Sequence, residues 1–375
     1  MPINKSSGTI TADEIRDEFG PSGTVSFDDY RVSETHGSLT NMPLDKLAGA
    51  NQDKNIPQSG VIAFSDFYNS RLNIVVKCED GDDRASTVYD NNSPNRVKVV
   101  GGLRSRPSKS QTGGRRVYIN VNETIKSPGN HQGDRNKCAL RTGEWVNGQF
   151  NNNVGTGTSV SVDIGGSGKI YGHGGKGGDG AGGGGNTGGG GQNGSSALGI
   201  EFGASNNKVF INNSGYLQAG YGGGGGGGSG LDDPNKEGVD YSNGGAGGGG
   251  GAGKPSGEGG SGGGAMYTGQ AGSEGGTTSG GDGGGEGGYS GSAEKGEGNE
   301  GQGGAGGDGG GVGDAAGNGD SSSGNGGPKG REGGGGDGGE SGWAILNENA
   351  SNCITVTGSG TVADNKIQHN TNPTS

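Results

Sequence analysis

The stretch that decides the fold is INNSGYLQAGYGGGGGGGSG, residues Ile211 to Gly230. Its first half has the pattern of a short strand and a turn, and its second half contains seven consecutive glycines, Gly222 to Gly228. A glycine loses more conformational freedom on folding than any other residue and offers no side chain to bury. A folded chain with such a run needs a source of stability other than a hydrophobic core.

Composition limits what can stabilise this chain. Only 24% of its 375 residues are hydrophobic and 100 are glycine, most of them between residues 165 and 342. That segment cannot be held by a hydrophobic core. Cys78, Cys138 and Cys353 are widely spaced and lie in no Cys/His cluster, so we expect reduced thiols and no metal or other cofactor.

Charge and hydropathy exclude two classes of partner. The net charge of −12 and the isoelectric point near 4.8 argue against nucleic acid, because its binding requires lysine and arginine to neutralise phosphates. No apolar run approaches the roughly 20 residues of a membrane helix, and MPINKSSGTI lacks the apolar segment of a signal peptide. We predict a protein that is made in a cytoplasm, binds no nucleic acid and does not insert into a membrane.

The first 72 residues contain a short repeat. Thr11 with Glu14, and Ser26 with Asp29, fit a helix N-cap followed three residues later by an acidic residue. Each unit is therefore predicted to be an extended segment that turns into a short helix. The units are SGTITADEI (7–15), SGTVSFDDY (22–30) and SGVIAFSDF (59–67).

Residues 1–72 contain too few apolar side chains to form a stable core alone. One interpretation is a small domain that packs on the rest of the chain. The interpretation that we favour is an anchoring region in which each unit docks on a partner protein. Its candidate contact residues are Ile10, Ile15, Val25, Phe27, Tyr30, Ile62, Phe64, Phe67 and Tyr68.

Strand patterns replace the repeat from residue 73 onward. β-Branched residues alternate or cluster between Gly, Asn, Pro and Asp turns in LNIVVKC, NRVKVV, RVYINV and TSVSVDI. This pattern predicts a small all-β domain over residues 73–164. Trp145 and Phe150 are expected in its core.

A second repeat connects the strands to the glycine-rich segment. SVDIGGSGKIYG (161–172) aligns without gaps on KVFINNSGYLQA (208–219), and ITVTGSGTVAD (354–364) follows the same pattern. A glycine tract follows the first two copies, whereas the third lies in a C-terminal strand module with a polar tail, residues 343–375. The pattern suits two short strands around a tight turn, with positive φ expected at Gly168, Gly215 and Gly360.

Three interpretations of residues 165–342 compete. The first is a flexible linker, but a linker needs no embedded strand such as VFINNSGYL. The second is a set of calcium-binding nonapeptide repeats, which GGKGGD and GGAGGD would fit, but such repeats require a nine-residue register that this segment lacks. In a left-handed helix with three residues per turn, every N–H and C=O points outward, so adjacent glycine helices can hydrogen-bond laterally. We predict a mainly β and irregular fold in which this segment is a slab of packed polyglycine II helices interleaved with short strand modules.

Polar and aromatic residues interrupt the glycine tract and would form loops at the ends of the slab. Loops on a rigid scaffold commonly carry binding sites, and tyrosine gives a large contact area at low entropic cost. Tyr216 and Tyr221 are expected to cover the edge of the slab, and His173 to lie at the surface. The candidate binding residues, with edge covering as the alternative for the tyrosines, are Tyr241, Lys254, Met266, Tyr267 and Tyr289.

The chain resembles the glycine-rich tail-fibre and fibre-tip adhesin proteins of tailed bacteriophages over roughly residues 138–342. The motifs that carry this resemblance are INNSGYLQAGYGGGGGGG, GSGKIYGHGGKGGDGAGGGG and CALRTGEWVNGQF. SGTITADEIRDEFG and SGVIAFSDFYN also resemble segments at the start of phage virion structural proteins. The resemblance implies a polyglycine sandwich whose loops contact a receptor on the bacterial surface, and an N-terminus that attaches to other virion tail or baseplate proteins.

We therefore predict a non-enzymatic protein of the virion tail or fibre that is assembled in the host cytoplasm and acts outside the cell, with an outer-membrane protein or glycan as its receptor. A purely structural virion component, such as a baseplate, neck or collar fibre, is the first alternative. A glycan depolymerase would need two convergent carboxylates, which the sequence does not single out. An ice-binding or matrix protein built on the same helices is a third alternative, and monomer and homotrimer both stay open.

Overall fold

The structure is a computed structural model in which the chain is mainly strand and irregular, as predicted, with one α-helix in the part that it describes. It describes residues 7–19, 60–68, 74–78, 98–100, 116–141, 159–182, 186–200, 209–229, 245–264, 268–285, 304–321, 333–347, 354–365 and 367–369.

The helix α1 spans Ala12–Phe19, and three short 3₁₀ helices span Phe64–Phe67, Gly129–His131 and Ala363–Asn365. The strands are β1 Ile74–Cys78, β2 Lys98–Val100, β3 Arg116–Val121, β4 Thr124–Lys126, β5 Cys138–Arg141, β6 Ser159–Ile164, β7 Lys169–Tyr171, β8 Ser196–Ile200, β9 Val209–Asn213, β10 Tyr216–Gln218, β11 Ile345–Asn347, β12 Ile354–Thr357, β13 Thr361–Val362 and β14 Ile367–His369.

Strands β3 to β14 form a parallel β-solenoid of four rungs. Each rung places one strand in each of three sheets, so that β3, β4 and β5 make the first rung and β12, β13 and β14 the fourth. Strands stack in parallel from rung to rung within every sheet. The first sheet continues beyond the solenoid through β1, which is parallel to β3, and β2, which is antiparallel to β1.

Stacks of aliphatic side chains fill the solenoid, because paired residues of successive rungs point inward together. The three sheets contribute to one buried cluster, and each fully buried aliphatic side chain stabilises the fold by about 1.5–3 kcal/mol. The second sheet stacks Ile125, Ile170, Leu217 and Val362, and the third stacks Leu140, Leu198, Ile345 and Ile367.

The Ser-Gly repeat is a repeat of rungs and not of hairpins, since its two strands belong to different sheets. The second and third copies pair residue for residue as the sequence alignment of the copies places them, with Ile211 opposite Val356. In the first copy, the strand before the turn is displaced by two residues, because Val162 pairs with Ile211 instead of Val209. The turn between β6 and β7 is longer than the turn between β9 and β10 and absorbs this difference.

Glycine is required in these turns for a different reason from the one predicted. Gly168, Gly215 and Gly360 do not have positive φ, so that prediction is wrong. A Cβ at Gly168 would lie 2.2 Å from the carbonyl oxygen of Val121 in the rung beside it, and one at Gly215 would lie 2.0 Å from that of Gly168. The close stacking of successive turns excludes a side chain.

Each sheet takes strands from all three of the predicted segments 73–164, 165–342 and 343–375. These segments therefore share one hydrophobic core. Within it, Cys138 is buried and its Sγ lies 3.9 Å from the carbonyl oxygen of Asn136, while Trp145 and Phe150 lie outside the described residues.

Long insertions leave the solenoid at one corner, between the second and third strand of a rung. The first rung crosses this corner with residues 127–137 and the fourth with residues 363–366, whereas the second inserts 172–195 and the third inserts 219–344. The insertions contain ten extended, glycine-rich segments that hydrogen-bond to one another. We call them rods 1 to 10, and they comprise residues 172–182, 186–195, 219–229, 245–253, 257–264, 268–276, 280–285, 304–311, 315–321 and 333–342.

Rod 3 contains the seven glycines and is surrounded by six other rods. Successive N–H groups donate in three directions, from Gly223 to rod 2, Gly224 to rod 4 and Gly225 to rod 9, and the pattern repeats every third residue. Its carbonyl groups accept from rods 1, 8 and 10. The N–H groups of residues 223–228 and the carbonyls of residues 222–228 all have partners in other rods, so this buried backbone is satisfied without secondary structure of its own.

Rod 4 is the second interior rod, with rods 1, 3, 5, 6, 7 and 8 around it. The composition of a rod follows its position. Rod 4 contains only glycine and two buried alanines, Ala246 and Ala252. The outer rod 1 instead carries a side chain at every third position, at His173, Lys176 and Asp179, because one of its three directions has no adjacent rod.

We expect Gly225→Ala to destabilise the protein by about 3 kcal/mol or more. A Cβ there would lie 1.8 Å from the carbonyl oxygen of Gly336, which is backbone and cannot swing aside. The matched control is Gly190→Ala on rod 2, where the nearest atom would be 3.5 Å away, and we expect a change within about 0.5 kcal/mol. Differential scanning calorimetry measures both, and equal losses would contradict the packed-rod arrangement.

Candidate functional site

The rods give the molecule two different ends. Odd-numbered rods run away from the solenoid and even-numbered rods return to it, as the hydrogen-bond partners show: Gly245 bonds Ala181 far from the strands, and Gly342 bonds Gly220 next to them. Rods join at the near end through residues 254–256, 277–279 and 312–314. Every connection at the far end lies outside the described residues; these connectors are 183–185, 230–244, 265–267, 286–303 and 322–332.

Four of the five predicted binding residues belong to these far-end connectors. Tyr241, Met266, Tyr267 and Tyr289 themselves lie outside the described residues. Lys254 lies instead at the near end, where its Nζ is 5.7 Å from the centre of the Tyr171 ring. Lys254 therefore lies at the end of the rods opposite to the end at which these connectors begin.

The near end of rod 3 is fastened to the last rung of the solenoid. Tyr221 is fully buried, so the prediction that it covers the edge of the slab is wrong. Its hydroxyl donates to a carboxylate oxygen of Asp364, which also accepts from the N–H of Gly313 in the turn between rods 8 and 9. Asp364 has a φ of 54°, which only a few non-glycine residues adopt. Burial, followed by the hydrogen bond to Asp364, raises the pKa of Tyr221.

Small polar side chains fill the corner where rods 1 and 2 meet the strands. His173 is buried, which corrects the predicted surface position. Its backbone N–H donates to Oγ of Ser195, which lies 3.0 Å from Oγ of Ser127. Its Nδ1 lies 2.6 Å from the carbonyl oxygen of Gly174, and burial lowers its pKa despite this contact. These contacts place the imidazole in a structural junction.

Side chains on the outer rods satisfy backbone N–H groups that lack a rod on that side. The Oδ1 atom of Asp179 accepts from the N–H of Ser261, and this hydrogen bond lowers the pKa of the carboxyl group. The same contact is made between rods 7 and 8, 9 and 10, and 2 and 10, where the acceptors are Asp308, Asn318 and Asn193. The single acidic and amide residues between glycine pairs therefore hold adjacent rods together.

The sides of the bundle are acidic. Within the described rod residues Lys176 is the only lysine or arginine, and it pairs with Asp179 at 3.3 Å. The carboxylates of these rods include Asp179, Glu258, Glu274, Asp282, Asp308, Asp320, Asp337 and Glu340. This charge keeps polyanions and other acidic bundles away from the sides.

The first and third N-terminal units pack against each other. Thr11 and Glu14 form the predicted cap, in which each N–H donates to the other side chain, and the Tyr68 hydroxyl donates to the Gly8 carbonyl. Four of the anchoring candidates are buried, namely Ile10, Ile15, Ile62 and Phe67. Phe64 is 43% exposed. Three further candidates lie outside the described residues, namely Val25, Phe27 and Tyr30. Sequence reasoning missed Val61, which is 89% exposed.

The part of the chain that the structure describes contains neither a metal site nor a helix that could span a membrane. No cluster of three or more His, Cys, Asp or Glu side chains there has the arrangement of a metal site. No described helix has the length and apolar character needed to cross a membrane.

No family model matches this chain, and no curated protein matches it. Among solved structures it is similar to the crystal structure of the gp37-gp38 adhesin tip complex of the bacteriophage S16 long tail fibre. The identity is 17%, the match covers 81% of this chain and 88% of that chain, and the TM-score is 0.30.

We expect Tyr221→Phe to destabilise the protein by about 1–2 kcal/mol near neutral pH, because a buried hydrogen bond to a carboxylate is lost. The wild type should also lose stability above about pH 10, where tyrosine ionises in the unfolded chain but Tyr221 resists ionisation in the folded one. Thermal unfolding between pH 7 and pH 11 measures both effects.

The control is Tyr171→Phe, since the Tyr171 hydroxyl has no hydrogen-bond partner among the described residues. If the two variants lose equal stability at neutral pH, the contact between Tyr221 and Asp364 does not fasten the bundle.

Proposed function

We propose that this chain is a non-enzymatic tail-fibre or spike protein of a bacteriophage virion, which binds a host-surface receptor through the far end of its rod bundle. The observation that carries the proposal is the direction of the rods. Five connectors, of 3 to 18 residues, all join rods at the end away from the solenoid. Such an arrangement attaches connecting segments of different length and composition to a rigid support, which is where binding sites commonly lie.

We infer further that the rods are polyglycine II helices. Support comes from the three-residue repeat of the hydrogen bonds and from the three directions in which successive N–H groups donate. A helix with three residues per turn and no internal hydrogen bonds has this property. Its stiffness in the bundle would hold the far-end connectors at a fixed distance from the solenoid.

The binding residues in this proposal are Tyr241, Met266, Tyr267 and Tyr289. Each is an aromatic or flexible apolar side chain in a far-end connector, and tyrosine is well suited to both protein and glycan contacts. Lys254 is not included, because it lies at the near end. An outer-membrane protein and a surface glycan are the two receptor classes that fit.

The N-terminal segment 1–72 is proposed to attach the chain to other tail or baseplate proteins. The exposed apolar side chains of Val61 and Phe64 support a contact surface on the third unit. A homotrimer is compatible with a place on a fibre. The resemblance of the first and third units to virion proteins supports a location in the virion.

The full chain, labelled with a fluorophore, can be tested for binding to a panel of bacterial strains by flow cytometry. On a strain that binds it, we expect the combined variant Tyr241→Ala, Tyr267→Ala and Tyr289→Ala to weaken binding at least about tenfold, the equivalent of one good contact. Lys254→Ala is the matched control at the other end and should bind like the wild type.

Two results would count against receptor binding through the far end of the bundle. One is equal loss in the Lys254→Ala control. The other is a chain that binds no strain but captures tail proteins through residues 1–72, which would identify a purely structural virion component.

A further inference from the structure

A polar pocket lies beside the third sheet, where rods 2 and 10 join the solenoid. Its volume is about 250 Å³ and it is open to solvent. Three successive crossings of the same corner build its walls, from the first, second and third rungs. The lining residues are Gly133, Asp134, Arg135, Asn136, Asn193 and Trp343.

The pocket is held rigidly by contacts outside it. The Ser196 hydroxyl donates to the Arg135 carbonyl at 2.6 Å and accepts from the N–H of Trp343 at 3.0 Å. The Arg135 guanidinium lies 5.0 Å from the centre of the Trp343 ring and pairs with Glu340. A site whose walls are fixed in this way does not have to order itself when a ligand binds.

Several hydrogen-bonding groups of the pocket are not used within the protein. Oδ1 of Asp134 accepts from the N–H of Asn136, while Oδ2 has no partner among the described residues. Oδ1 of Asn193 accepts from the N–H of Glu340, while its amide NH₂ donates to no described residue. Nε of Arg135 is buried, also without a partner among them. The pocket therefore offers one carboxylate acceptor, on Asp134, and one amide donor, on Asn193.

The charge and size of the pocket select the class of ligand. Asp134 and Glu340 outweigh Arg135, so an anion is disfavoured. The described carboxylates do not form a cluster that could hold a metal ion. The volume is below the roughly 300–1,000 Å³ of pockets for drug-sized ligands. What fits is a small, uncharged molecule with several hydroxyl groups, each able to donate and accept.

We propose that this pocket binds one neutral pyranose unit of a saccharide. The carboxylate of Asp134 accepts from one ring hydroxyl, the amide of Asn193 donates to an adjacent one, and the exposed part of Trp343 borders the ring. The site is at the near end of the bundle, so it is independent of any contact at the far-end connectors. A glycan chain held here would lie along the side of the protein.

Titration of the ¹⁵N-labelled full chain with D-glucose, D-galactose and N-acetyl-D-glucosamine tests the proposal. The chain has two tryptophans, and Trp145→Phe assigns the indole N–H resonance of Trp343. We expect at least one sugar to shift the Trp343 resonance in a saturable way at millimolar concentration.

Two variants keep the internal hydrogen bonds and change only the groups that face the sugar. Asp134→Asn retains an oxygen for the N–H of Asn136, and Asn193→Asp retains one for the N–H of Glu340. Each should weaken binding about tenfold, the loss of one hydrogen bond. Lys254→Ala, at a near-end residue that does not line the pocket, should bind sugar like the wild type.

The proposal is overturned if none of the three sugars shifts Trp343, if inorganic phosphate shifts it and sugars do not, or if both pocket variants bind sugar as tightly as the wild type. The wild-type titration decides the question even where a variant fails to fold. Loss of cell binding through the far-end tyrosines has no bearing on any of these outcomes, so this proposal and the receptor proposal can fail separately.

Discussion

Lateral hydrogen bonds between backbone groups of different rods are the interaction on which the structure depends. Each such bond contributes only about 0.5–1.5 kcal/mol net, but a buried N–H or C=O without one would cost more than that. An interior rod can satisfy its groups only if rods lie in all six surrounding directions. This requirement excludes side chains from the middle of rod 3 and explains why seven glycines stand in succession at residues 222–228.

The aliphatic solenoid helps to set the order in which the rods lie side by side. The all-glycine stretches of the interior rods have no side chains that could fix which rod lies beside which, so part of this order is set from outside them. Three sheets with stacked side chains fix the positions at which rods 1, 2, 3 and 10 enter and leave. Asp364 and the cluster around His173 then join the last rung and the corner to the first residues of the rods.

Sequence reasoning succeeded where the signal was local or compositional. The cap of Thr11 by Glu14, the strands around each Ser-Gly and the lateral bonding of glycine segments all follow from neighbouring residues or from what glycine lacks. It failed where the outcome depends on distant pairing. Two strands around a tight turn read the same whether they pair with each other or enter different sheets, so the solenoid was missed.

The same limit explains the errors at individual residues. Gly168 is required by the rung beside it, not by its own φ. Tyr221 is buried by rods and by a rung that are far away in sequence. The polar pocket also could not be predicted, because Asp134, Asn193 and Trp343 come from three separate rungs. The sequence indicates the pocket only through Trp343, next to rod 10, and Asn193, near the end of rod 2.

Because the rods run alternately away from the solenoid and back to it, each insertion must contain an even number of rods. Both ends of an insertion must meet the same corner of the solenoid, so an insertion contains an even number of rods: two in the second rung and eight in the third. An insertion or deletion of rods that preserves the fold must therefore add or remove them in pairs. Every added pair brings one further connector to the far end, so the area of that face and the thickness of the bundle grow together.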